Sequence, residues 1–413
     1  MIDPRQRTPG TVPGVRWSPA LVTGLVCCTT MVSHSFGRST FGLLLPAIED
    51  DLGLSHAQAG LPSTGIYLAY VVGVVLVAVA SPRVEPITIM RVGLGTAAIG
   101  LLLASSAQDL ATLTIGVAVA GGAGAGIWLT APVLATAHVS PRHRGVVIGL
   151  LSSTIGVSNI FLGFGVTGLR QAFDDDLLWR PIFTIEGILT LGLLGALVVF
   201  ARFDRTEKVD GGFSFVLLRK VPAWGRITLA YACFGAMSAG FGSFMLVALE
   251  EQGNMSRSAT TVVFSIMGVA GVVGAPLAGG LSDRLGRQRL MLVSLGVLIT
   301  ANLCVAFGAS LVVAGGAVLF GAAAGSFPAL VATYVRDHVT DRTFSRVMAT
   351  MTILFSLLAA ATPAFIGALA DMTGDFRLPY LVLAALATTA FVLVQSLPRT
   401  AGRDQRSPER VAQ

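Results

Sequence analysis

The sequence predicts an all-α integral membrane protein, with twelve transmembrane helices in two related six-helix bundles. Three observations predict it. Of the 413 residues, 54% are hydrophobic and only 12% are charged, whereas soluble domains carry roughly 25% charged residues. The apolar residues run in segments long enough to cross a bilayer. The second half of the chain repeats the first.

The elements follow in order. Residues 1–19 are polar, include Arg5, Arg7 and Arg16, and read as a cytoplasmic tail. The apolar segment behind them is long, and no small-residue cleavage site follows it. It therefore reads as a spanning helix rather than a secretory signal. Apolar segments fall at 20–46, 57–80, 87–106, 109–138, 144–171 and 178–203, which form the first bundle, 20–203. Asp109 is the only polar mark at the break after Ser106. The stretch 204–222, with Asp204, Arg205, Glu207, Lys208, Asp210, Arg219 and Lys220, reads as a cytoplasmic linker. The second bundle, 223–398, takes segments 223–249, 258–281, 290–309, 311–338, 345–371 and 376–398. There Ser310 marks the break after Gly308. Residues 399–413 form a second cytoplasmic tail.

Charge supports this division. With both termini cytoplasmic, 23 of the 28 Lys and Arg fall on the cytoplasmic side. Arg170, Arg180, Arg257 and Arg377 fall outside, and Arg38 lies within the first segment. That bias is what the positive-inside rule requires, and it points to a multi-pass protein of a bacterial-type inner membrane. Because the basic residues lie between apolar runs, nucleic acid is excluded as a partner and the lipid bilayer is the expected surrounding.

At an offset of 201, residues 45–90 lie over 246–291 without a gap: Glu49 meets Glu250, Ser55 meets Ser256, Gly73 meets Gly274 and Arg83 meets Arg284. At 200, His138-Val139 meets His338-Val339 and Arg142 meets Arg342. Six helices per half give a parallel repeat, an architecture of transporters that bind substrate where the halves meet.

The segment Gly279-Gly280-Leu281-Ser282-Asp283-Arg284-Leu285-Gly286-Arg287-Gln288-Arg289 resembles the loop signature G-x-L-x-D-R-x-G-R-R of the major facilitator superfamily. Its first-half counterpart, Ser81-Pro82-Arg83-Val84-Glu85-Pro86, is degraded. Ser140-Pro141-Arg142-His143-Arg144-Gly145, Trp179-Arg180-Pro181-Ile182-Phe183 and Gly367-Ala368-Leu369-Ala370-Asp371-Met372-Thr373-Gly374 resemble other segments of that family. The resemblance covers residues 20–398. It implies secondary active transport by alternating access, and a latch of Asp283, Arg284, Arg287 and Arg144, with Gly286 in the motif. Asp283 would meet the positive N-terminus of the fifth helix, capped by Ser140 and Pro141. The family's Arg ahead of Gly122-Ala123-Gly124-Ala125-Gly126 is replaced by Ala118. The proline-containing antiporter signature is also missing around Gly156-Val157-Ser158-Asn159. Both absences weigh against a drug/proton antiporter.

Two charges lie well inside spans. Arg38 follows His34 by four residues, so the two share a helix face. A guanidinium cannot deprotonate, and its fork matches a carboxylate. Arg38 is thus a candidate receiver of an anionic substrate; the alternative is a structural pairing with Glu186 or with helix-end carbonyls. Its repeat mate is Ala239, so a monoanion, such as a monocarboxylate, fits better than a dianion. His34 and Glu186 are the candidate proton carriers, for uptake with a proton. The plainer readings are a packed neutral histidine and a structural carboxyl. Tyr67, Tyr70, Trp128, Asn159, Phe241 and Phe327 are candidate lining groups for an organic solute. The pairs Gly122/Gly126 and Gly321/Gly325 have the spacing of close helix contacts.

No cofactor or metal is expected. Cys27, Cys28, Cys233 and Cys304 lie in apolar stretches without metal-site spacing and read as small buried hydrophobes. Asp174-Asp175-Asp176 lacks magnesium-site spacing, and there is no phosphate-binding loop. An enzyme is not expected. The leading reading is transport of a small organic anion by a chain that works as a monomer. A drug or metabolite efflux antiporter is the alternative, followed by a membrane sensor or a polytopic enzyme.

Overall fold

The computed structural model describes residues 19–137, 139, 144–173, 178–200 and 212–398. The tails, most of the linker, the Ser140-Pro141 cap and the Asp174-Asp175-Asp176 run lie outside the described residues. Among those described, the ordered elements are helices. They are α1 (Pro19–His34), α2 (Thr40–Leu52), α3 (His56–Ala80), α4 (Pro86–Ser105), α5 (Leu110–Thr136), α6 (Arg144–Phe173), α7 (Trp179–Phe200) and α8 (Phe215–Leu218). Then follow α9 (Trp224–Glu251), α10 (Arg257–Leu285), α11 (Arg287–Phe307), α12 (Ser310–Ala324), α13 (Ser326–Arg336), α14 (Asp341–Thr373) and α15 (Arg377–Gln395). Eleven stretches are long and apolar enough to cross a membrane. The 30-residue α6 supplies the twelfth span.

Two spans differ from the sequence reading. The first is divided into α1 and α2 by a break at Ser35–Ser39. The tenth is divided into α12 and α13, which meet at Gly325. The linker region contains the short α8. The breaks expected after Ser106 and Gly308 are present. Asp109 caps α5 by accepting the Thr112 amide at 2.8 Å, and this bond holds the Asp109 carboxyl below its ordinary range.

The polar residues of the repeat do structural work. Ser55 and Ser256 are the N-caps of α3 and α10, accepting from the Gln58 and Ala259 amides. Gly73 and Gly274 permit close crossings of matching helix pairs. A Cβ at Gly73 would lie 2.2 Å from Gly122 O, and one at Gly274 would lie 2.0 Å from Ala322 O. The Trp179-Arg180 pair ties α7 to the end of α2: the indole donates to Asp51 at 3.1 Å and the guanidinium at 2.6 Å.

Burial follows position in the bundle. Val72, Leu76 and Val79 of α3 and Ile99 of α4 are all more than half exposed, as lipid-facing positions should be. In α9, 89% of the apolar window is buried, against 33% in α3, so α9 is central. One cysteine departs from expectation. Cys27 and Cys233 are buried, but Cys28 is exposed. Successive helical residues point about 100° apart, so Cys27 turns inward and Cys28 outward.

Across the seam between the halves, α3 packs on α14, α6 on α10, and α2 on α9. The end of the bundle where α1 begins is here the near end, and the end where α2 finishes is the far end. Among the described residues, polar contacts between the halves gather at the far end. They include Asp50 with Arg257, His56 with Glu251 and Asp371 with the first turn of α3. The described conformation is therefore clasped at the far end.

Candidate functional site

The break in the first span positions the site. Phe36 takes φ −66°, ψ 131°, and Gly37 takes φ 74°, ψ −33°. The second is a left-handed conformation that glycine adopts without penalty. The interruption frees backbone groups at membrane depth, where each must find a partner. Ser39 donates to the His34 carbonyl at 3.2 Å. Glu186, from α7, accepts the Gly37 amide at 3.2 Å and the Thr40 hydroxyl. Glu186 is 2% exposed. It is thus tied to the broken backbone, the structural role weighed for it above. Among the described residues it forms no ion pair with Arg38.

Arg38 lies within the break, directly after Gly37. Its guanidinium sits 4.3 Å from the centre of the Tyr67 ring, with Tyr70 and Tyr231 its other close polar neighbours. Tyr67 and Tyr70 come from α3 in the first half and Tyr231 from α9 in the second, so the cation is at the seam. It is only partly buried. Tyr67 packs against Ala239, the repeat mate of Arg38, and against Ala359 and Ala360.

His34 ends α1, so the break separates it from Arg38 and the two do not share the continuous helix face expected of them; its ring meets the Trp128 ring edge-on at 4.2 Å. Its Nδ1 is buried without a hydrogen-bond partner. The hydroxyls of Ser35, Ser158 and Ser356 and the amide oxygen of Asn159 are likewise unpartnered. Buried polar atoms are rarely left so, and each is a point that water or a polar ligand can satisfy.

The structure thus brings Arg38, Tyr67 and Tyr70 together, pairs His34 with Trp128, and leaves the Asn159 amide oxygen unpartnered on α6. Phe241 and Phe327 do not belong with them. Phe241 is fully buried, stacked on Phe320 at 3.9 Å and against Tyr380 at 5.4 Å. Phe327 is fully buried against Phe234 at 5.1 Å. Both are core aromatics of the second half, because their helix faces turn away from the seam. Sequence reasoning missed Tyr231 and Phe355, whose rings lie 4.8 Å apart. Tyr231 stands two turns before Ala239 on one helix face, and that spacing was the available signal.

At the near end, Arg287 pairs with Asp337 of its own half, and Arg284 is exposed. Gly286, at φ 90°, makes the turn between α10 and α11. The side chains of Asp283 and Arg144 lie outside the described residues. Among the described residues no metal-binding group of His, Cys, Asp or Glu is present.

The chain matches the family profile described as Major Facilitator Superfamily over residues 27–311 and 227–412. It is 31% identical over 238 residues to "Probable transporter SCO4007" of Streptomyces coelicolor, covering 55% of this chain and 52% of that one. It is 23% identical over 281 residues to "Probable 4-methylmuconolactone transporter" of Cupriavidus pinatubonensis, covering 65% and 64%. The matched stretches thus span about half to two thirds of these curated relatives. Among solved structures, it resembles a bacterial homolog of the human lysosomal transporter Spinster in an inward-facing, occupied conformation. That likeness has TM-score 0.74 at 15% identity and covers 92% of this chain and 97% of the other.

Proposed function

The chain belongs to the Major Facilitator Superfamily, and on that premise we propose that it carries a small organic anion, of the monocarboxylate class, by alternating access. In this reading the near end is cytoplasmic, the membrane is a bacterial-type inner membrane, and uptake is coupled to a proton. One chain supplies both sides of the seam, so a monomer is sufficient.

The observation that carries the reading is Arg38. A guanidinium at membrane depth costs several kcal/mol unless an anion, a cavity or water receives it. Glu186, the acidic residue placed well inside a span, is engaged by Gly37 and Thr40 instead. Arg38 rests on the Tyr67 ring and is only partly buried. A bidentate pairing is therefore left for a carboxylate that arrives with the solute. The aromatic neighbours suit an organic body on that carboxylate. A relative named for 4-methylmuconolactone supports an organic solute. His34, with its unpartnered Nδ1, is the group proposed to carry the coupling proton, and Asp283, Arg284, Arg287 and Arg144 are the proposed latch of the near end in the opposite conformation.

The test is a thermal-shift screen of the purified protein against mono- and dicarboxylates, repeated with Arg38→Ala. Monocarboxylates that raise the melting temperature of the native chain should fail to do so in the variant. Loss of a charge-assisted bond of about 1.5–3 kcal/mol predicts roughly 10- to 150-fold weaker binding. Equal stabilisation of both proteins by every hit removes Arg38 from the site.

A further inference from the structure

At the far end the repeat builds two interlocked clasps. The offset of 201 carries Glu49 onto Glu250, Asp50 onto Glu251 and His56 onto Arg257. His56 opens α3 and Arg257 opens α10. The His56 ring presents Nδ1 to Glu49 of its own half at 3.0 Å and Nε2 to Glu251 of the other half at 3.5 Å. Arg257 presents Nε to Glu250 of its own half at 3.4 Å and Nη2 to Asp50 of the other half at 2.6 Å. Each cation therefore joins one acid from its own half to one from across the seam. A cavity of about 160 Å³, lined by Glu49, Asp50, Glu250, Glu251 and Arg257, lies between the clasps.

The clasps differ in one respect. The guanidinium of Arg257 is charged at all relevant pH values. A neutral imidazole has a single N–H and can serve only one of its two carboxylates, whereas the imidazolium serves both. The charged groups facing His56 are all acidic: Glu49 from α2, Glu251 from α9, and Asp371 from α14. Asp371 accepts the His56 and Ala57 amides at 3.0 and 2.9 Å. The remaining neighbours are the Phe244 and Phe376 rings, 6.3 and 5.1 Å away.

We propose that the Glu49–His56–Glu251 clasp is a proton-binding site that is complete only while the far end is closed. Parting the halves carries Glu251 and Asp371 away from the ring and leaves Glu49 alone. The proton is then held more tightly in the far-closed state than in the far-open state. By linkage, acid on the far side shifts the carrier toward far-end closure. The site is distinct from Arg38 and His34, and it does not depend on which solute is carried.

The test uses the full chain in lipid nanodiscs, with Cys27, Cys28, Cys233 and Cys304 replaced by alanine. Spin labels go on Gln108→Cys and Ala309→Cys, exposed positions at the far end of each half. Label-to-label distances are read by pulsed electron resonance between about pH 6 and 10, from the ordinary histidine range upward, because two facing carboxylates keep the proton on the ring. The native clasp should shift toward the short distance as pH falls. One linked proton allows up to about a tenfold change in the closed-to-open ratio per pH unit. His56→Arg should hold the short distance throughout. His56→Gln should lose the pH response and gain the long distance. A native protein that ignores pH, or a His56→Gln variant that responds as the native one does, overturns the proposal.

Discussion

The first span and its repeat mate α9 occupy equivalent places against the seam, but only one of them is continuous. The first span breaks at Ser35–Ser39, and the break places a guanidinium at Arg38 and ties its backbone to Glu186. In α9 the helix runs unbroken from Trp224 to Glu251, with Ser238, Ala239 and Phe241 at the positions of Gly37, Arg38 and Thr40. Where Thr40 reaches a carboxylate, Phe241 stacks on Phe320. The last helix, α15, has no charged residue beyond Arg377 to correspond with Glu186. One copy of the repeat thus became the polar, interrupted partner and the other the packed, continuous one. The lesson is that a duplicated scaffold concentrates its chemistry where local backbone order has been given up.

Substitutions at Glu186, Gly37 and Ser238 break or sharpen that contrast. The largest effect is expected at Glu186. Glu186→Ala leaves the buried Gly37 amide without an acceptor and the Thr40 hydroxyl with only the Ser35 carbonyl, at 3.2 Å, and an orphaned buried donor costs about 1–3 kcal/mol. Thermal unfolding in detergent should show a large loss, which Glu186→Gln partly restores. Melting of Glu186→Ala alongside the native protein would mean that the break is not held from α7. A smaller effect is expected at the break itself. Gly37→Ala forces a side chain into the left-handed region, at about 1–2 kcal/mol, and its Cβ would press Leu101 at 3.3 Å. The mate substitution Ser238→Gly, in a regular helix, should cost only about 0.5–1 kcal/mol. Equal losses at both sites, measured by the same melts, would erase the distinction between the spans.

The smallest effect is at the helix starts. Asp109 caps α5, whereas Ala309, at the equivalent place before α12, makes no side-chain cap. The Asp109 carboxyl is held below its ordinary range by the Thr112 amide. Its stabilising contribution is therefore full above the unfolded pKa and is lost as pH falls through the folded one. Protection of the Thr112 amide, measured against its intrinsic exchange rate, should fall in strong acid, while the first amides of α12 should show no matching step. Asp109→Ala should remove the step.

Much of the scaffold was legible because a bilayer imposes length on every span. Even the thin breaks at Asp109 and Ser310 were found that way. The interruption at Gly37 was not, because the polar stretch Ser33–Thr40 reads equally well as the polar face of an unbroken helix, and the carboxylate that holds the break open is 149 residues away. The seam-facing side of each helix was also hard to read. Lipid and protein core are both apolar, so periodicity separates them weakly. That is why Phe241 and Phe327 were expected at the site and Tyr231 was not. Arg38 was readable because charge is conspicuous against such a background. The role of Asp371 was not, since its contacts are 314 and 315 residues distant.

That long reach bears on how the protein is made. A chain leaving the ribosome has threaded α3 into the bilayer before Asp371 has been synthesised. Ser55 and Gln58 guard the first turn in the meantime, but the amides of His56 and Ala57 keep water as their partner until the eleventh span arrives. The second helix to be inserted is therefore among the last to be finished, and its completion signals that both bundles have docked.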